Sequence, residues 1–389
     1  MTRISPDWLN DPAVRAVIDA LHPANPHFVG GCVRDALMDR QGGDIDIAVA
    51  VPPDQAMALA EAAGLGVHPT GVDHGVVTVS KDGHAFEIAS LRRDMATDGR
   101  RAVVAFTTSM ADDAARRDFT MNALYAAPDG KVIDPLGEGI DDALTPRIRF
   151  IGDASARIAE DYLRILRFFR FHAVFAINSF DPAALAACHQ GVAGLSRISA
   201  ERIGDEMLKL LAAPDPVPAL TAMGEILKHV LPGAVLPEGL VDAERDLGVE
   251  PDALRRLAAL AAVPDVAAVH LRLSRKAQKY LAAMAEALAD DTAIAQAAWR
   301  WGDEVARDVA VLRAAAGRAA PLAWRAEIAR GLAAIMPVQA DDLMRRGMVP
   351  GPPLGAVLRR IEADWLASDF ALDRAALLSR HASPQRGED

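Results

Sequence analysis

Two aspartates with one residue between them are the strongest candidates for metal chemistry in this sequence of 389 residues. Asp44 and Asp46 follow the turn Gly42-Gly43, and the period-two pattern that starts there predicts a strand with both carboxylates on one face. Neighbouring carboxylates repel each other, but a hard divalent cation such as Mg²⁺ binds their oxygens and relieves the repulsion. The spacing therefore predicts a Mg²⁺ site at Asp44 and Asp46, although a solvated strand end can carry the same pattern.

A pair of glycines upstream of these aspartates predicts a phosphate-binding turn. Gly30 and Gly31 follow the apolar run Phe28-Val29, which predicts a buried strand. Glycine permits a tight turn and a close approach to a ligand because it has no Cβ. Residues 32–39 predict a short helix whose free N–H groups would point back at the glycines, and Arg34 adds guanidinium donors for phosphate oxygens. A glycine pair after a strand is more often only a turn.

A third group of polar residues follows at Arg117, Asp118 and Asn122. The acidic residues near position 112 predict a helix over residues 112–125, on which Asp118 and Asn122 lie four residues apart on one face. The functional interpretation places Arg117 on a triphosphate or ribose, with Asp118 and Asn122 near the sugar. The alternative is a charged helix start with an ordinary polar pair.

Asp161 and Arg164 form a candidate pair for reading a nucleotide base. Residues 153–172 predict one long helix, and the three-residue spacing projects both side chains together. A carboxylate acceptor beside a guanidinium donor matches the edges of cytosine and adenine, whereas uracil and guanine present the reverse order. Such a contact can discriminate by about 1–3 kcal/mol. Arg167 could stack on the base or brace Asp161. The alternative is a surface ion pair worth ~0.2–0.5 kcal/mol.

Glu87 is a candidate third carboxylate for the metal site. Residues 75–80 and 85–89 predict two strands joined by a turn that contains glycine, and Glu87 lies on the second of them. An exposed glutamate on a strand is an equally good interpretation.

The elements that must position these residues change in type along the chain. Residues 1–135 alternate helix and strand patterns, which predicts a small mixed α/β unit. From residue 153 onwards the strand patterns disappear, and apolar residues recur at spacings of three and four between Pro and Gly breaks. We expect an α+β domain followed by an all-helical region, with a loose tail at residues 383–389.

Composition excludes several classes of protein. The net charge of 42 − 53 = −11 argues against a protein that coats nucleic acid non-specifically. Cys32 and Cys188 show no paired framework, which predicts a reduced, cytoplasmic protein without structural zinc. The sequence shows no signal peptide and no apolar run long enough for a membrane. Local basic groups remain, at Arg164, Arg167 and Arg170; Arg272, Arg275, Lys276 and Lys279; Arg345 and Arg346; and Arg359 and Arg360.

The motifs occur in the order of a known family. They are Gly-Gly-x-Val-Arg-Asp at 30–35, the aspartates at 44 and 46, Arg-Arg-Asp-Phe-Thr-x-Asn-Ala at 116–123, Glu-Asp-x-x-Arg-x-x-Arg-Phe at 160–168, and Ser-Ala-Glu-Arg-Ile at 199–203 with Glu206 and Lys209. Together they resemble the bacterial CCA-adding tRNA nucleotidyltransferase and poly(A) polymerase family of the nucleotidyltransferase superfamily. The resemblance covers residues 25 to about 212.

This resemblance implies a nucleotidyltransferase head over residues 1–135, which is catalytic. A helical neck over 136–212 would recognise the base, and a helical body and tail over 213–389 would bind tRNA. Asp44 and Asp46 would be catalytic and would hold two Mg²⁺ ions. Glu87 joins them as a candidate third catalytic carboxylate because of its position on the predicted strand. The residues implied to bind the nucleotide are Gly30, Gly31, Arg34, Arg117, Asp118, Asn122, Asp161, Arg164 and Arg167.

The implied reaction is template-independent addition or repair of the 3′-terminal CCA of tRNA from CTP and ATP, with release of pyrophosphate. No membrane and no obligate protein partner is expected. Two segments depart from the family pattern: the expected flexible loop at 92–101 lacks the usual aromatic residue and proline, and Glu138 occupies a position where relatives have glycine.

Three alternatives to full CCA addition remain open at the sequence level. They are a poly(A) polymerase, a partial enzyme that adds only C or only A, and a silent RNA-binding scaffold. Net acidity weighs against the polymerase, and the two intact aspartates weigh against the silent scaffold.

Overall fold

The computed structural model describes residues 2–98, 101–175, 179–236, 238–318 and 323–381, and for residues 94–98 and 101–104 it describes the backbone alone. The chain divides into two compact units, Met1–Ala234 and Val235–Asp389. Strands occur in the first unit, and the described part of the second unit is helical.

Nine strands are present in the described residues of the first unit: β1 (His27–Val29), β2 (Asp46–Val49), β3 (Gly66–His68), β4 (Val76–Lys81), β5 (His84–Ser90), β6 (Arg92–Asp98), β7 (Arg101–Phe106), β8 (Tyr125–Ala126) and β9 (Val132–Ile133). Seven of them form one sheet in the order β3-β4-β5-β2-β1-β8-β9, and β6 pairs with β7 in a separate hairpin. Within the large sheet β2 and β5 are parallel, whereas the other neighbours are antiparallel.

The described helices of the first unit are α1 (Pro12–Ala20), α2 (Gly31–Leu37), α3 (Pro53–Ala62), α4 (Met110–Ala115), α5 (Gly139–Leu144), α6 (Ala154–Glu160), α7 (Leu163–Phe175), α8 (Pro182–Gln190), α9 (Ala200–Leu211), α10 (Val217–Met223) and α11 (Glu225–Val230). Those of the second unit are α12 (Leu240–Leu247), α13 (Ala253–Leu260), α14 (Pro264–His270), α15 (Arg275–Ala289), α16 (Ile294–Trp301), α17 (Asp303–Ala315), α18 (Trp324–Ala333), α19 (Ala340–Met344), α20 (Pro352–Ala367) and α21 (Arg374–His381). None of the helices in the described ranges is long and apolar enough to cross a membrane.

A buried apolar cluster holds the central strands in place. Val29 of β1 and Ala48 of β2 pack with Leu91, Ala123 and Tyr125. Burial of such side chains contributes about 25 cal/mol per Å² of apolar surface removed from water. The cluster therefore fixes the ends of β1 and β2, which carry the glycine turn and Asp46.

The predicted fold class, a mixed head followed by helices, is confirmed. Two predicted helices are wrong. Residues 112–125 form α4, an irregular segment, a 3₁₀ turn at Thr120–Asn122 and the start of β8. Residues 153–172 form α6 and most of α7, with a break at Asp161, whose backbone is extended.

Two other predictions need correction or fall outside the described residues. Asp44 precedes β2, so only Asp46 lies on the strand. The expected loop over residues 92–101 is a β6–β7 hairpin in its described part, and residues 99 and 100 lie outside the described ranges, as does the predicted tail at 383–389.

Candidate active site

The glycine turn lies at the end of β1, as the sequence predicts. Gly30 has a φ of +73°, a conformation that side-chain-bearing residues rarely adopt. A Cβ at this position would lie 3.2 Å from Nη1 of Arg117 and 3.7 Å from the carbonyl oxygen of Asn122. The Gly30 N–H donates to the carbonyl of Leu124 at 2.9 Å. The turn thus brings backbone against Arg117, and only glycine fits there without strain.

Three carboxylates gather beside this turn. Asp46 is the first residue of β2 and lies in register with Glu87 on the parallel strand β5. Asp44, two residues earlier, is exposed, as is Glu87. Burial raises the pKa of Asp46 to about 6, the negative charges of Glu87 and Asp44 add to the rise, and the positive charge of Arg117 opposes it. The elevated pKa thus reports mainly burial and secondly repulsion between the carboxylates, and a cation would relieve the repulsion.

These carboxylates fit a divalent cation that shares its ligands with a substrate. Within the described residues, no three His, Cys, Asp or Glu side chains converge closely enough to hold a metal by themselves. Mg²⁺ is commonly bound by one or two carboxylates together with substrate phosphates. The donor set at Asp44 and Asp46 therefore suits an ion that is completed by a triphosphate.

The raised pKa of Asp46 predicts a pH-dependent stability in metal-free buffer. The folded protein binds this proton more tightly than the unfolded chain, in which the pKa is about 3.8. The contribution to stability is therefore greatest below pH 4, falls as the pH rises from about 4 to about 6, and is constant above. Because solvent screens part of the repulsion at this half-buried side chain, Asp46→Asn should stabilise the protein above pH 6 by about 1 kcal/mol.

Urea titrations with EDTA at pH 4 and pH 7 measure this difference. Glu61→Gln, at an exposed position on α3, is the control. Its difference in stability from the wild type should be the same at both pH values. Equal stability of the wild type and Asp46→Asn at pH 7 would contradict the raised pKa of Asp46.

Arg117 lies between the glycine turn and a buried acid. Its Nη2 donates to Oδ2 of Asp113 at 3.1 Å, and its Nε donates to the same oxygen at 3.3 Å. Burial alone would lower the pKa of Arg117, but the charge of Asp113 raises it above its usual value. Arg117 therefore stays cationic beside Gly30, which suits the predicted contact with a triphosphate.

A chain of hydrogen bonds runs from α2 to α7. Nη1 of Arg34 donates to Oδ1 of Asn122 at 2.6 Å, and Nδ2 of Asn122 donates to Oδ1 of Asp118 at 3.0 Å. Oδ2 of Asp118 then pairs with Nη2 of Arg167 at 2.6 Å, and Arg167 also reaches Glu206 of α9. Asp118 and Asn122 do meet, but through an irregular segment rather than along a helix.

The same chain of hydrogen bonds gives Arg34 and Arg167 protein partners that the sequence did not predict. Arg34 is buried and its guanidinium is held by Asp35, Asn122 and the ring of Phe175, 4.2 Å away. Arg167 braces Asp118 rather than Asp161. The proposed contacts of both arginines with a nucleotide remain predictions.

The predicted pairing of Asp161 with Arg164 is wrong in this structure. Oδ2 of Asp161 pairs with Nη2 of Arg202 on α9 at 2.7 Å, and its Oδ1 accepts the N–H of Leu163 at 3.1 Å. Nη1 of Arg164 instead donates to Oε2 of Glu160 at 2.6 Å. The extended backbone at Asp161 removes the helical spacing that the pairing required.

Several functional neighbours escaped sequence reasoning. Asp113, Glu160, Arg202 and Glu206 each hold one of the predicted site residues. Two of them offered a local signal, because Asp113 precedes Arg117 by four residues and Glu160 precedes Arg164 by four. Arg202 and Glu206 reach their partners across 41 and 39 residues of sequence, and one sequence does not reveal such contacts.

Comparison with known proteins identifies relatives of both parts of the first unit. Residues 26–149 match a family model described as the poly(A) polymerase head domain. Residues 179–235 match a model described as a probable RNA- and SrmB-binding site of polymerase A.

Similar whole proteins are named for CCA addition. The CCA-adding enzyme of Levilactobacillus brevis is 30% identical, with 95% of this chain and 96% of that protein covered. The mitochondrial CCA tRNA nucleotidyltransferase 1 of Danio rerio is 40% identical over 187 residues, and this match spans 47% of this chain but only 43% of the relative. The crystal structure of the Bacillus stearothermophilus CCA-adding enzyme in complex with CTP is 29% identical, has a TM-score of 0.75 and covers 95% of this chain and 98% of that one.

Proposed function

We propose that this chain, which belongs to the family of CCA-adding tRNA nucleotidyltransferases, builds or repairs the 3′-terminal CCA of tRNA from CTP and ATP and releases pyrophosphate. The observation that carries the proposal is the gathering of Asp44, Asp46 and Glu87 beside a glycine turn and a cationic Arg117. Repelling carboxylates next to a glycine turn and a cationic arginine suit transfer of a nucleotidyl group.

Divalent metal use is general among nucleotidyltransferases, and we propose Mg²⁺ for this chain. Asp44 and Asp46 would hold it, with Glu87 as a candidate third carboxylate. When bound, Mg²⁺ would lower the pKa of the attacking 3′-hydroxyl and neutralise charge on the leaving pyrophosphate.

The protein's own residues would bind and orient the triphosphate. Gly30 and Gly31 place no Cβ between the backbone and an approaching phosphate, and nitrogens of Arg117 and Arg34 lie beside them, so the turn would offer phosphate oxygens a fixed positive charge. Asp118 and Asn122, already bonded to each other, would accept and donate at the ribose hydroxyls. Holding the α-phosphate in line with the tRNA 3′-end converts a bimolecular encounter into an oriented reaction.

Base choice would fall to Asp161 and Arg164 of the helical neck. Arg164 binds Glu160 and backbone carbonyl groups in this structure, so reading a base requires it to exchange these partners for the base edge. Arg202 orients Asp161 through their 2.7 Å ion pair. We propose that cytosine or adenine draws Arg164 away from Glu160.

Arg164→Ala should therefore weaken base choice more than it weakens triphosphate binding. UTP and GTP incorporation, relative to CTP and ATP, should rise by about tenfold, since one bidentate contact discriminates by roughly 1–3 kcal/mol. Single-nucleotide addition with each of the four triphosphates measures the ratio. Arg197→Ala removes an exposed arginine of the same unit and should leave the incorporation ratio unchanged. A fall in rate with unaltered selectivity would make the Glu160–Arg164 pair purely structural.

The helical remainder of the chain would hold the tRNA. We propose a neck over residues 136–212 and a body and tail over 213–389. Exposed basic side chains of the second unit support this assignment within an otherwise acidic chain; they are Arg272, Arg275, Lys276 and Lys279. The predicted cytoplasmic location is also part of this proposal, and cell fractionation would test it.

The decisive experiment supplies tRNA that ends before CCA together with Mg²⁺ and CTP, ATP or both. We expect growth to stop at the completed CCA end when both triphosphates are present. An unstructured RNA of equal length should be a poor substrate, and EDTA should stop the reaction. Products that contain only C or only A would identify a partial enzyme, and long A tails on both RNAs would identify a poly(A) polymerase.

A further inference from the structure

Asp113 is a buried acid that contacts three separate segments of the first unit. Its side chain is 2% exposed. Oδ1 accepts the backbone N–H of Arg92 at 3.2 Å and Nε of Arg116 at 2.8 Å. Oδ2 accepts the hydroxyl of Tyr125 at 2.6 Å and Nη2 of Arg117 at 3.1 Å. One carboxylate therefore joins α4 to the start of the β6–β7 hairpin, to β8 and to Arg117, the candidate contact for a triphosphate.

We propose that Asp113 is a positioning residue that aims Arg117 at the glycine turn and ties this arginine to the base of the β6–β7 hairpin. The inference rests on the proposed function, because it assumes that a triphosphate binds at the turn. It assigns a role to a side chain that would not itself touch the nucleotide.

The orientation of the Arg117 guanidinium supports this role. Asp113 occupies the edge formed by Nε and Nη2, which leaves Nη1 directed at Gly30 and at the carbonyl of Asn122, 3.5 Å away. A guanidinium is a planar fork, so fixing two of its nitrogens fixes the direction of the third. Without the acid, rotation about the side-chain bonds would turn Nη1 away from the turn.

The charge of Asp113 is maintained inside the protein. Burial alone would raise the pKa of its carboxyl, but Arg117 and Arg116 lower it below the usual value, and the Tyr125 hydroxyl assists them. The carboxyl of Asp113 is therefore ionised at neutral pH.

The link to the hairpin makes the arrangement more than a local ion pair. Arg92 begins β6 and lies in register with Phe106 at the end of β7, so its N–H marks the base of the hairpin. Oδ1 holds this base while Oδ2 holds Arg117. Any displacement of the hairpin base is thus transmitted to Arg117 through one rigid carboxylate.

Calorimetric titration with a non-hydrolysable CTP analogue and Mg²⁺ tests the proposal on the full chain without tRNA. The variants are Asp113→Asn, Arg117→Gln, the double variant of both, and Tyr125→Phe. Asp113→Asn should weaken binding by about tenfold. The double variant should bind as weakly as Arg117→Gln alone, because Asp113 acts through Arg117. Tyr125→Phe removes a bond to the same carboxylate but leaves the ion pair, and it should change affinity less than twofold.

Thermal unfolding of each variant separates positioning from support of the fold. A purely structural Asp113 would lower the melting temperature and leave the affinity of the folded variant unchanged, which would overturn the proposal. A double variant that binds more weakly than Arg117→Gln by the full factor of Asp113→Asn would also overturn it, because the two residues would then act independently. Should Asp113→Asn fail to fold, Asp113→Glu replaces it, since it keeps the charge but displaces it by one methylene, and the same non-additivity with Arg117→Gln is expected.

The role of Asp113 and the proposed function can be refuted separately. A chain that binds the analogue and shows the non-additivity but never extends tRNA would refute CCA addition and keep the role of Asp113. Normal CCA addition with unchanged affinity in Asp113→Asn would refute the role of Asp113 alone. A wild-type chain that binds no analogue would overturn both.

Discussion

Replacing Asp46 with asparagine is expected to reduce nucleotide transfer at least a thousandfold while the protein stays folded. The substitution preserves the shape of the side chain and removes one of the charges that would hold Mg²⁺. Loss of a group that stabilises charge in a transition state commonly costs about 10²–10³-fold, and loss of a metal anchor adds the chemistry of the ion itself. Rates of CMP addition to tRNA that ends before CCA measure the effect.

Two controls make this result specific. Asp39→Asn removes the same charge at an exposed position whose φ of +50° asparagine tolerates, and it should keep normal activity. Asp46→Asn is also expected to be more stable than the wild type in EDTA at pH 7, so lost activity cannot be assigned to unfolding. Near-normal transfer by Asp46→Asn would refute the metal assignment at β2.

The parts of the site that local patterns encode were predictable from the sequence. The run before Gly30, the alternation after Gly43 and the glycine-containing turn between β4 and β5 all depend on neighbours in the chain. They place the glycine turn next to a strand that carries an acid. The parallel pairing of β2 with β5, which brings Glu87 beside Asp46, is a tertiary fact; the sequence offered Glu87 only as a candidate on a predicted strand and did not predict this pairing.

The two wrong helices show why the rest could not be predicted. Phe119 adopts an extended backbone because its side chain is completely buried and its ring packs against Phe150 and Phe171 at 5.0 Å and 5.1 Å. Asp161 is extended because it accepts the N–H of Leu163 and pairs with Arg202. In both cases distant partners override a sequence whose local pattern is helical.

The second unit contains a buried charge cluster that the sequence did not reveal. Glu244 of α12 accepts from Nη2 of Arg255 at 2.8 Å and from Nη2 of Arg256 at 2.7 Å, and the two arginines are each 1% exposed. Oδ1 of Asp308 on α17 also pairs with Arg255, at 2.8 Å. A run of two arginines on a helix ordinarily predicts a solvated face, so only the folded structure identifies these residues as part of a core.

Glu244→Gln should destabilise the second unit by about 3–5 kcal/mol, because it leaves buried guanidinium groups without their shared anion. Glu286→Gln is the matched control, since its ion pair with Arg300 is exposed and worth at most ~1 kcal/mol. Scanning calorimetry should show an early transition for Glu244→Gln and none for the control.

The same variant tests the division of labour between the two units. If residues 213–389 hold the tRNA, warming Glu244→Gln past its early transition should abolish tRNA extension. Binding of a CTP analogue, which the first unit provides under our proposal, should persist until that unit melts. tRNA extension and analogue binding would then be lost at different temperatures in one full-length chain. This design avoids a truncated protein, in which apolar surface would become exposed. Simultaneous loss of both activities at the early transition, or survival of tRNA extension through it, would contradict the assignment of tRNA binding to the helical region.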